Sequence, residues 1–412
     1  MNDKLELKNE TPTFGNVLLP AGAVGLRVLS LFDGMSCGQQ ALERIGVNVL
    51  EYYASEIDKH AIAVTMHNYP NTKQLGSVID VDGYKLPKID LLIGGSPCQS
   101  FSFAGKRKGM STKCETEILT LEHYLELKVE GYEFEGQSYL FWEYMRLLNE
   151  VKPKYFLLEN VMMGEKWEKI LSKAIGVKPI QINSALVSAQ NRNRLYWTNI
   201  GMQPMGLFGD LESIIQQPKN KDILLKDILE KEVDPKYFIS EKMIDRIKRS
   251  NNGEKCFADN QKSMCLAAGY FKQGRDNQLV TVHNTMPRSS KTGKGGTGSL
   301  SRNDGKTYCL DTGQTNVIEV LGGDFRHDEG FRWRDNGKSS TLMARAREDV
   351  YGTGLVKTQS NIRRLTPKEC ERLQTVNDGY TSVVSDSQRY RMLGNGWTVD
   401  VIAHILSYGE WL

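Results

Sequence analysis

Short apolar runs alternate with amphipathic stretches through the first half of the chain. Val28-Leu29-Ser30-Leu31-Phe32 reads as a buried strand, Asp33 to Gly38 as a turn and Gln39 to Ile45 as a helix. Tyr52 to Glu56 predicts a second strand, followed by a helix over Asp58 to His67. Leu91 to Ile93 is a third strand, stopped by Gly94-Gly95. Gln137 to Asn149 has helical spacing, with Leu140, Phe141, Tyr144, Leu147 and Leu148 on its inner face, and Lys154 to Leu158 is a fourth strand. Ile182 to Ala185 and Arg194 to Trp197 read as two further strands. Buried strands alternating with helices predict an α/β fold.

From Gly201 the texture changes. Leu225 to Arg249 reads as a charged helix interrupted at Asp234-Pro235. Between Asn251 and Val356 glycine, serine, asparagine and arginine dominate, with short strand-like pieces between turns. Three pieces there echo one another: Gln261 to Leu266, Gly305 to Leu310 and Gly337 to Leu342. The first two continue into Asn277 to Val280 and Thr315 to Ile318. Regular patterning returns at Ile362 to Gln374, where Thr366, Pro367 and Glu369 spell a capped helix start, and the last helix spans Val399 to Leu406.

Composition narrows the picture little. The 412 residues are 40% hydrophobic and 25% charged, ordinary for a globular chain, and the net charge of +3 means that any phosphate-binding face is local. Seven cysteines without a Cys-x-x-Cys pair and six scattered histidines predict a reduced chain without disulfides or a metal site. Met1 to Pro20 lacks a signal-peptide core and no apolar run reaches membrane-spanning length, so the expectation is a cytoplasmic protein.

The candidate chemistry gathers where strands end. Cys98 follows Pro97 at the mouth of a strand, where ligands meet α/β sheets. On that stretch alone, a buried hydrophobe and a nucleophile are equally good readings. The turn Phe32 to Gly38 lets backbone N–H groups approach a ligand, without the G-x-G-x-x-G spacing of dinucleotide enzymes. Glu56 ends its strand either as a ligand carboxylate or as the cap of the next helix. Phe103 to Gly109 is a small, basic, glycine-flanked loop suited to gripping phosphate, or a solvated loop of no consequence. Alternation puts Arg192 and Arg194 on one face, and two guanidiniums together want an anion or carbonyl acceptors.

Pro97-Cys98, Phe156-Leu157-Leu158-Glu159-Asn160-Val161, Gln190-Asn191-Arg192-Asn193-Arg194, Gly394-Asn395-Gly396 and the turn Phe32 to Gly38 together resemble the DNA (cytosine-5)-methyltransferase family. The five motifs stand in the family's order and span the chain from Arg27 onward, except between Gly201 and Asn361. The style of Ser30 to Gly34 and of Val187 to Gln190 resembles phage and bacterial members most, with an echo in the eukaryotic de novo branch. Gly396-Trp397-Thr398 departs from the small apolar sequence commoner in the family.

The resemblance implies an S-adenosylmethionine-dependent Rossmann-like sheet with a second, smaller, irregular β-rich recognition domain. The expected boundaries are an N-terminal extension over 1–25, a catalytic and cofactor-binding domain over 26–200, a target-recognition domain over 201–361, and a return to the catalytic domain over 362–412. The amphipathic insertion from Met110 to Gly136, with Leu119, Leu121, Tyr124, Leu125 and Leu127 on a helix, lengthens the family's catalytic loop.

Carried over residue by residue, the family's pattern puts Phe32, Asp33, Gly34, Gly38, Glu56, Ile57, Ser77 and Asn395 around S-adenosylmethionine, with Glu56 on the ribose. Ser77 stands where the family commonly has an aspartate on the adenine amine. Cys98 is the expected nucleophile toward cytosine C6, Glu159 the acid at N3, and Arg192 and Arg194 the stabilisers at O2, with Asn160 bracing the Pro97 backbone. Gln99, Ser102, Lys106, Arg107, Lys108 and Gln190 are the expected contacts to duplex DNA, whose target base is flipped out.

Neither an obligate protein partner nor an oligomer is expected. Two rivals share the fold: a silent DNA-binding regulator, disfavoured by intact Cys98, Glu159, Arg192 and Arg194, and an RNA cytosine methyltransferase. One RNA branch has a cysteine where Glu159 stands here, and the tRNA-acting branch has a shorter recognition segment. A carboxylated donor in place of S-adenosylmethionine is a third variation on the same site.

Overall fold

In the computed structural model the apolar runs pair into one seven-stranded sheet. The described residues are 25–97, 110–114, 116–205, 210–230, 233–237 and 365–411, with strand backbone at intervals between 265 and 364. The sheet is built from β1 (Leu26–Leu31), β2 (Val49–Ser55), β3 (Lys73–Gln74), β4 (Leu91–Gly95), β5 (Tyr155–Val161), β6 (Ile180–Asn183) and β8 (Asn193–Thr198), in the order β3-β2-β1-β4-β5-β8-β6. The pairs from β3 to β5 are parallel, whereas β8 runs antiparallel to both β5 and β6.

Alternation within the strands explains why they are apolar throughout. Val28, Leu91, Ile93 and Leu157 face one core, with Ala41 and Leu42 of α1 (Cys37–Arg44). Leu29, Leu31, Leu92, Phe156 and Leu158 face the other, with Phe141, Tyr144 and Leu147 of α4 (Leu140–Val151) and Trp167 and Leu171 of α5 (Glu165–Ile175). A sheet covered on both faces needs apolar side chains at every position of its central strands.

The chain's end belongs to the first of these cores. The capping box expected at Thr366 is formed, starting α7 (Pro367–Leu373). The next helices are α8 (Asp386–Asn395) and α9 (Val399–Leu406), which brings Val401, Ile402 and Ile405 onto the face that α1 covers.

β1 lies between β2 and β4, so connections leave it toward both sides of the sheet. That reversal opens a crevice at the carboxyl ends of the strands, where ligands bind in open α/β sheets. The turn after β1, Glu56 after β2, Ser96-Pro97 after β4 and Glu159-Asn160 near the end of β5 all lie at that edge.

Three expectations need correction or refinement. Between Leu225 and Glu230 only α6 (Leu225–Ile228) is helical, and Leu229 is already extended at φ −70° and ψ 142°; 238–249 lie outside the described residues. The insertion folds as α3 (Leu121–Val129) packed on α4, with Tyr124 and Leu127 buried. Tyr124, Lys128 and Arg146 all donate to the buried Glu143 on α4, a charged residue on the face that periodicity reads as apolar.

The echoed segments lie partly on paired strands. Cys265–Ala267 runs parallel to Ser339–Met343, and Val280–Asn284 pairs antiparallel with Asn316–Val320; 305–310 lies outside the described residues. Ser339–Met343 also pairs with the two-residue β7 (Gln190–Asn191), so the segment expected as a separate domain is hydrogen-bonded to the expected catalytic one. Among the described residues no helix is long and apolar enough to cross a membrane, and no His, Cys, Asp or Glu cluster is placed to hold a metal.

Candidate active site

The turn after β1 is unusual in its backbone. Phe32 (φ 56°), Gly34 (φ 59°) and Ser36 (φ 59°) are all left-handed, a conformation that costs a non-glycine residue about 1–2 kcal/mol. Hydrogen bonds hold it there: Asp33 N donates to Ser55 O at 3.1 Å and Gly34 N to Glu56 Oε2 at 2.8 Å. The other Glu56 oxygen accepts from Ile57 N (2.7 Å) and Asp58 N (2.8 Å). The helix cap next to it is Asp58, which accepts from His60 N at the start of α2 (Lys59–Asn68). Glu56 therefore ties the two strand ends together at the edge of the crevice, and Oε2, which accepts one N–H, keeps a lone-pair direction for a ligand hydroxyl.

Two residues expected to touch a ligand also shape the turn. The Asp33 carboxyl accepts from Tyr52 Oη at 2.8 Å and from the Ser36 hydroxyl. Although part of the residue reaches solvent, burial of this carboxyl raises its pKa to about 6, against the pull of the neighbouring hydroxyls. Gly38 is a packing glycine, since a Cβ there would lie 2.4 Å from Ile93 Cδ1 and 2.8 Å from the Tyr52 hydroxyl. Gly38→Ala should therefore lower the urea midpoint: overpacking costs about 1–3 kcal/mol, more than the ~1 kcal/mol gained in helix propensity. An unchanged midpoint would contradict that reading.

Gly34 is the opposite case, with nothing within 4 Å of the Cβ position. Beside it Ile57 is 71% exposed, an apolar side chain at the mouth of the turn. Phe32 is half-buried. Ser77 Oγ accepts from Ile79 N at 3.3 Å and caps its own turn. Asn395 is exposed at the end of α8.

The second half of the site is built on β4, β5 and β8. Register pairs Gly95 with Glu159, Glu159 with Tyr196 and Val161 with Arg194. Glu159 and Arg194 are 8% and 9% exposed, and Arg194 Nε lies 2.9 Å from Glu159 Oε1. The approach is off the N–H axis, so this is an ion pair that leaves the buried Nε–H without an aligned acceptor. Trp397 Nε1 donates to the other oxygen, Oε2, at 3.2 Å. Asn160 Nδ2 donates to Ser96 O (3.3 Å) and Ser96 Oγ (3.0 Å), so the bracing expected at Pro97 acts one peptide earlier, on the carbonyl that Pro97 follows.

Arg192 and Arg194 do not share an acceptor. Arg192 is buried and donates to Gly394 O (3.3 Å) and Gly396 O (3.0 Å), so its guanidinium holds the loop before α9. Gln190 is buried, and its amide donates to Leu373 O (3.2 Å) and Gln374 Oε1 (3.1 Å). Gln374 in turn donates to Leu393 O (2.6 Å) and Gly396 O (3.2 Å) and accepts from Thr398 Oγ1 (2.9 Å). Cys98, Gln99, Ser102, Lys106, Arg107 and Lys108 lie outside the described residues.

One loop joins the two halves. A Cβ on Gly396 would lie 2.8 Å from Met35 Cε and 3.5 Å from Cys37 Sγ, in the turn, while the next residue, Trp397, reaches Glu159. Trp397 and Gln374 are the site residues that motif reading missed. The only hint was the tryptophan where the resembled family commonly has a small residue.

The family model described as C-5 cytosine-specific DNA methylase matches residues 26–127 and 132–408. The chain is similar to the orphan methyltransferase M.SPRI of Bacillus phage SPR, 28% identical across 92% of this chain and 96% of that protein. It is also similar to the type II methyltransferase M.HgiCI of Herpetosiphon aurantiacus, 26% identical across 92% of this chain and 97% of that protein. Among solved structures, the Entamoeba histolytica methyltransferase EhMeth superposes with a TM-score of 0.53 at 14% identity, covering 94% of this chain and 98% of that one, a likeness of fold.

Proposed function

The chain belongs to the C-5 cytosine-specific DNA methylase family and is a DNA cytosine methyltransferase; from that premise we propose that it methylates C5 of a cytosine flipped out of duplex DNA, at a specific sequence, through a covalent Cys98–C6 adduct. The observation that carries the proposal is the loop 394–398, which touches the left-handed turn at Met35 and Cys37 and the Glu159–Arg194 pair through Trp397. A donor held in the turn and a base held at Glu159 are then neighbours.

The turn fits S-adenosylmethionine, which the family and fold imply. Gly34 leaves open space with its backbone at the crevice, Glu56 offers its Oε2, and Ile57 and Phe32 offer apolar surface to an adenine. Ser77 and Asn395 complete the set of side chains assigned to this cofactor. When bound, this cofactor supplies a methyl group on an electrophilic sulfonium. Gly34→Ala should weaken its binding by on the order of 10-fold or more, since the new methyl strains a left-handed residue and fills the ligand's space. Calorimetric titration checks this, and unchanged affinity would contradict it.

The remaining chemistry falls to the chain's own side chains. Cys98, joined to Pro97 at the site's edge, adds as thiolate to C6 of cytosine and shifts the C5–C6 electron pair onto C5. Cys37, the cysteine of the turn, is a poor candidate, because burial pushes its thiol to about 12. Glu159 carries a proton to N3 as charge builds on the ring and accepts from the exocyclic amine, which selects cytosine over thymine. Arg194 supplies its unpaired Nε–H to the developing charge at O2. After C5 takes the methyl group, loss of the C5 proton to solvent and departure of the thiolate from C6 restore the C5–C6 double bond, and N3 returns its proton to Glu159.

The segment 201–361 chooses the sequence, with Gln99, Ser102, Lys106, Arg107 and Lys108 closing on the DNA backbone. Transfer of labelled methyl groups to unmethylated duplex DNA, with recovery of 5-methylcytosine and no transfer to tRNA, tests the proposal. Label in tRNA alone would overturn it, as would a mass increment larger than a methyl group.

A further inference from the structure

The Glu159 carboxyl is held on both oxygens, by an ion pair on one and a hydrogen bond on the other. Arg194 approaches Oε1 at 2.9 Å, and the indole N–H of Trp397 donates to Oε2 at 3.2 Å. The packing around this contact is specific. Gly95, the residue opposite Glu159 on β4, has no room for a side chain: a Cβ would lie 2.9 Å from Trp397 Nε1 and 3.0 Å from Glu159 Oε2. The indole and the carboxyl thus meet over the bare backbone of the strand that runs on to Pro97.

Trp397 is itself anchored. Gly396 O, its preceding carbonyl, accepts from Arg192 at 3.0 Å and from Gln374 at 3.2 Å. Thr398 Oγ1, on its other side, donates to Gln374 at 2.9 Å and accepts from Ser184 Oγ at 2.8 Å. Buried, mutually satisfied polar groups of this kind fix a backbone in one place.

We propose that Trp397 is a positioning residue, whose indole N–H fixes the plane of the Glu159 carboxyl for two simultaneous contacts with the target base. The inference rests on the assignment of Glu159 above. One cytosine edge asks a single carboxyl for a proton at N3 and a lone pair for the adjacent amine, so both oxygens must lie in the plane of the base. Arg194 alone, in contact with one oxygen, leaves the carboxyl free to turn about its last bond. A hydrogen-bond donor on the other oxygen removes that freedom before the base arrives, and such preorganisation is worth more than the contact itself in a site closed to water.

Trp397→Phe keeps the ring and deletes the N–H. Single-turnover transfer at saturating duplex DNA and cofactor should fall by on the order of 10- to 100-fold, the value of a hydrogen bond to a charged group. The cofactor Kd and the KM for DNA should stay within about twofold, because the lost contact acts after binding. In a Glu159→Ala background, adding Trp397→Phe should cost nothing more, because the indole acts only through that carboxyl.

An unimpaired rate in Trp397→Phe overturns the proposal. So does a loss confined to cofactor affinity, which would make the indole a pocket wall, or a full further loss in the Glu159→Ala background. If the unsubstituted chain transfers no methyl group to duplex DNA, the reading of Glu159 falls with the proposal. If that chain is active and Trp397→Phe equals it, only the role of Trp397 falls.

Discussion

Cys98→Ser should abolish methyl transfer and leave S-adenosylmethionine affinity close to that of the unsubstituted chain. The reason is the difference between a thiol and an alcohol as a nucleophile. A thiol gives a useful fraction of thiolate near neutral pH, and cationic neighbours in sequence such as Lys106, Arg107 and Lys108 favour it further. A serine hydroxyl has no such access to its anion without a dedicated base, and none of the residues assembled here is assigned that work. The expected loss is on the order of 10,000-fold or more, comparable to removing the nucleophile of other covalent enzymes. The cofactor turn is built from the ends of β1 and β2, two strands that do not include residue 98, so calorimetry should report an unchanged Kd. Turnover by Cys98→Ser near the normal rate would rule out the covalent route.

Glu159→Gln should lose on the order of 100- to 10,000-fold in rate at saturating DNA, the usual worth of a positioned general acid. The substitution is nearly isosteric, and its amide oxygen can still accept the Trp397 N–H, so the fold around β5 should survive. It cannot deliver a proton to N3 from that oxygen, and its NH2 group faces either Arg194 or the exocyclic amine, donor against donor. The ion pair with Arg194 is lost as well, which frees a buried guanidinium and adds to the penalty. Rates within a few-fold of the parent would mean that Glu159 binds the base without moving a proton.

Much of the sheet was legible before any coordinates. The apolar runs from Val28, Leu91 and Lys154 are strands because central parallel strands must be apolar on both faces, and the pattern says so directly. The pairing of Glu159 with Arg194 was legible only as two motifs. Their meeting depends on β8 turning back along β5, with Val161 opposite Arg194, and strand order is not written in periodicity. The helix expected over Leu225 to Arg249 ends at Ile228 in its first part, since helical propensity is a weak prior that tertiary contacts override.

Several polar side chains of the motifs have structural partners that the motifs do not show. Gln190, Arg192 and Asp33 are polar and stand in motifs, and a motif assigns polarity to function by default. In the fold each spends its polar atoms on backbone or hydroxyl partners distant in sequence: Leu373 for Gln190, Gly394 for Arg192, Tyr52 for Asp33. Trp397 errs the other way, an apolar residue whose single N–H lands on the central carboxyl 238 positions earlier in the chain. Glu143 follows the same logic inside α4, where three donors offset the burial of a charge that periodicity would have kept outside.

The central claim is a transient bond between Cys98 and C6 of a cytosine, and a substrate that cannot complete the cycle tests it most directly. In duplex DNA bearing 5-fluorocytosine for cytosine, C5 keeps its fluorine after methylation, so no proton can leave and the thiolate cannot be eliminated. Incubation with S-adenosylmethionine, digestion and mass spectrometry should recover the peptide containing Cys98 bonded to a methylated fluorocytosine nucleotide. Methylated DNA released without any adduct, or an adduct on another cysteine, would contradict the account.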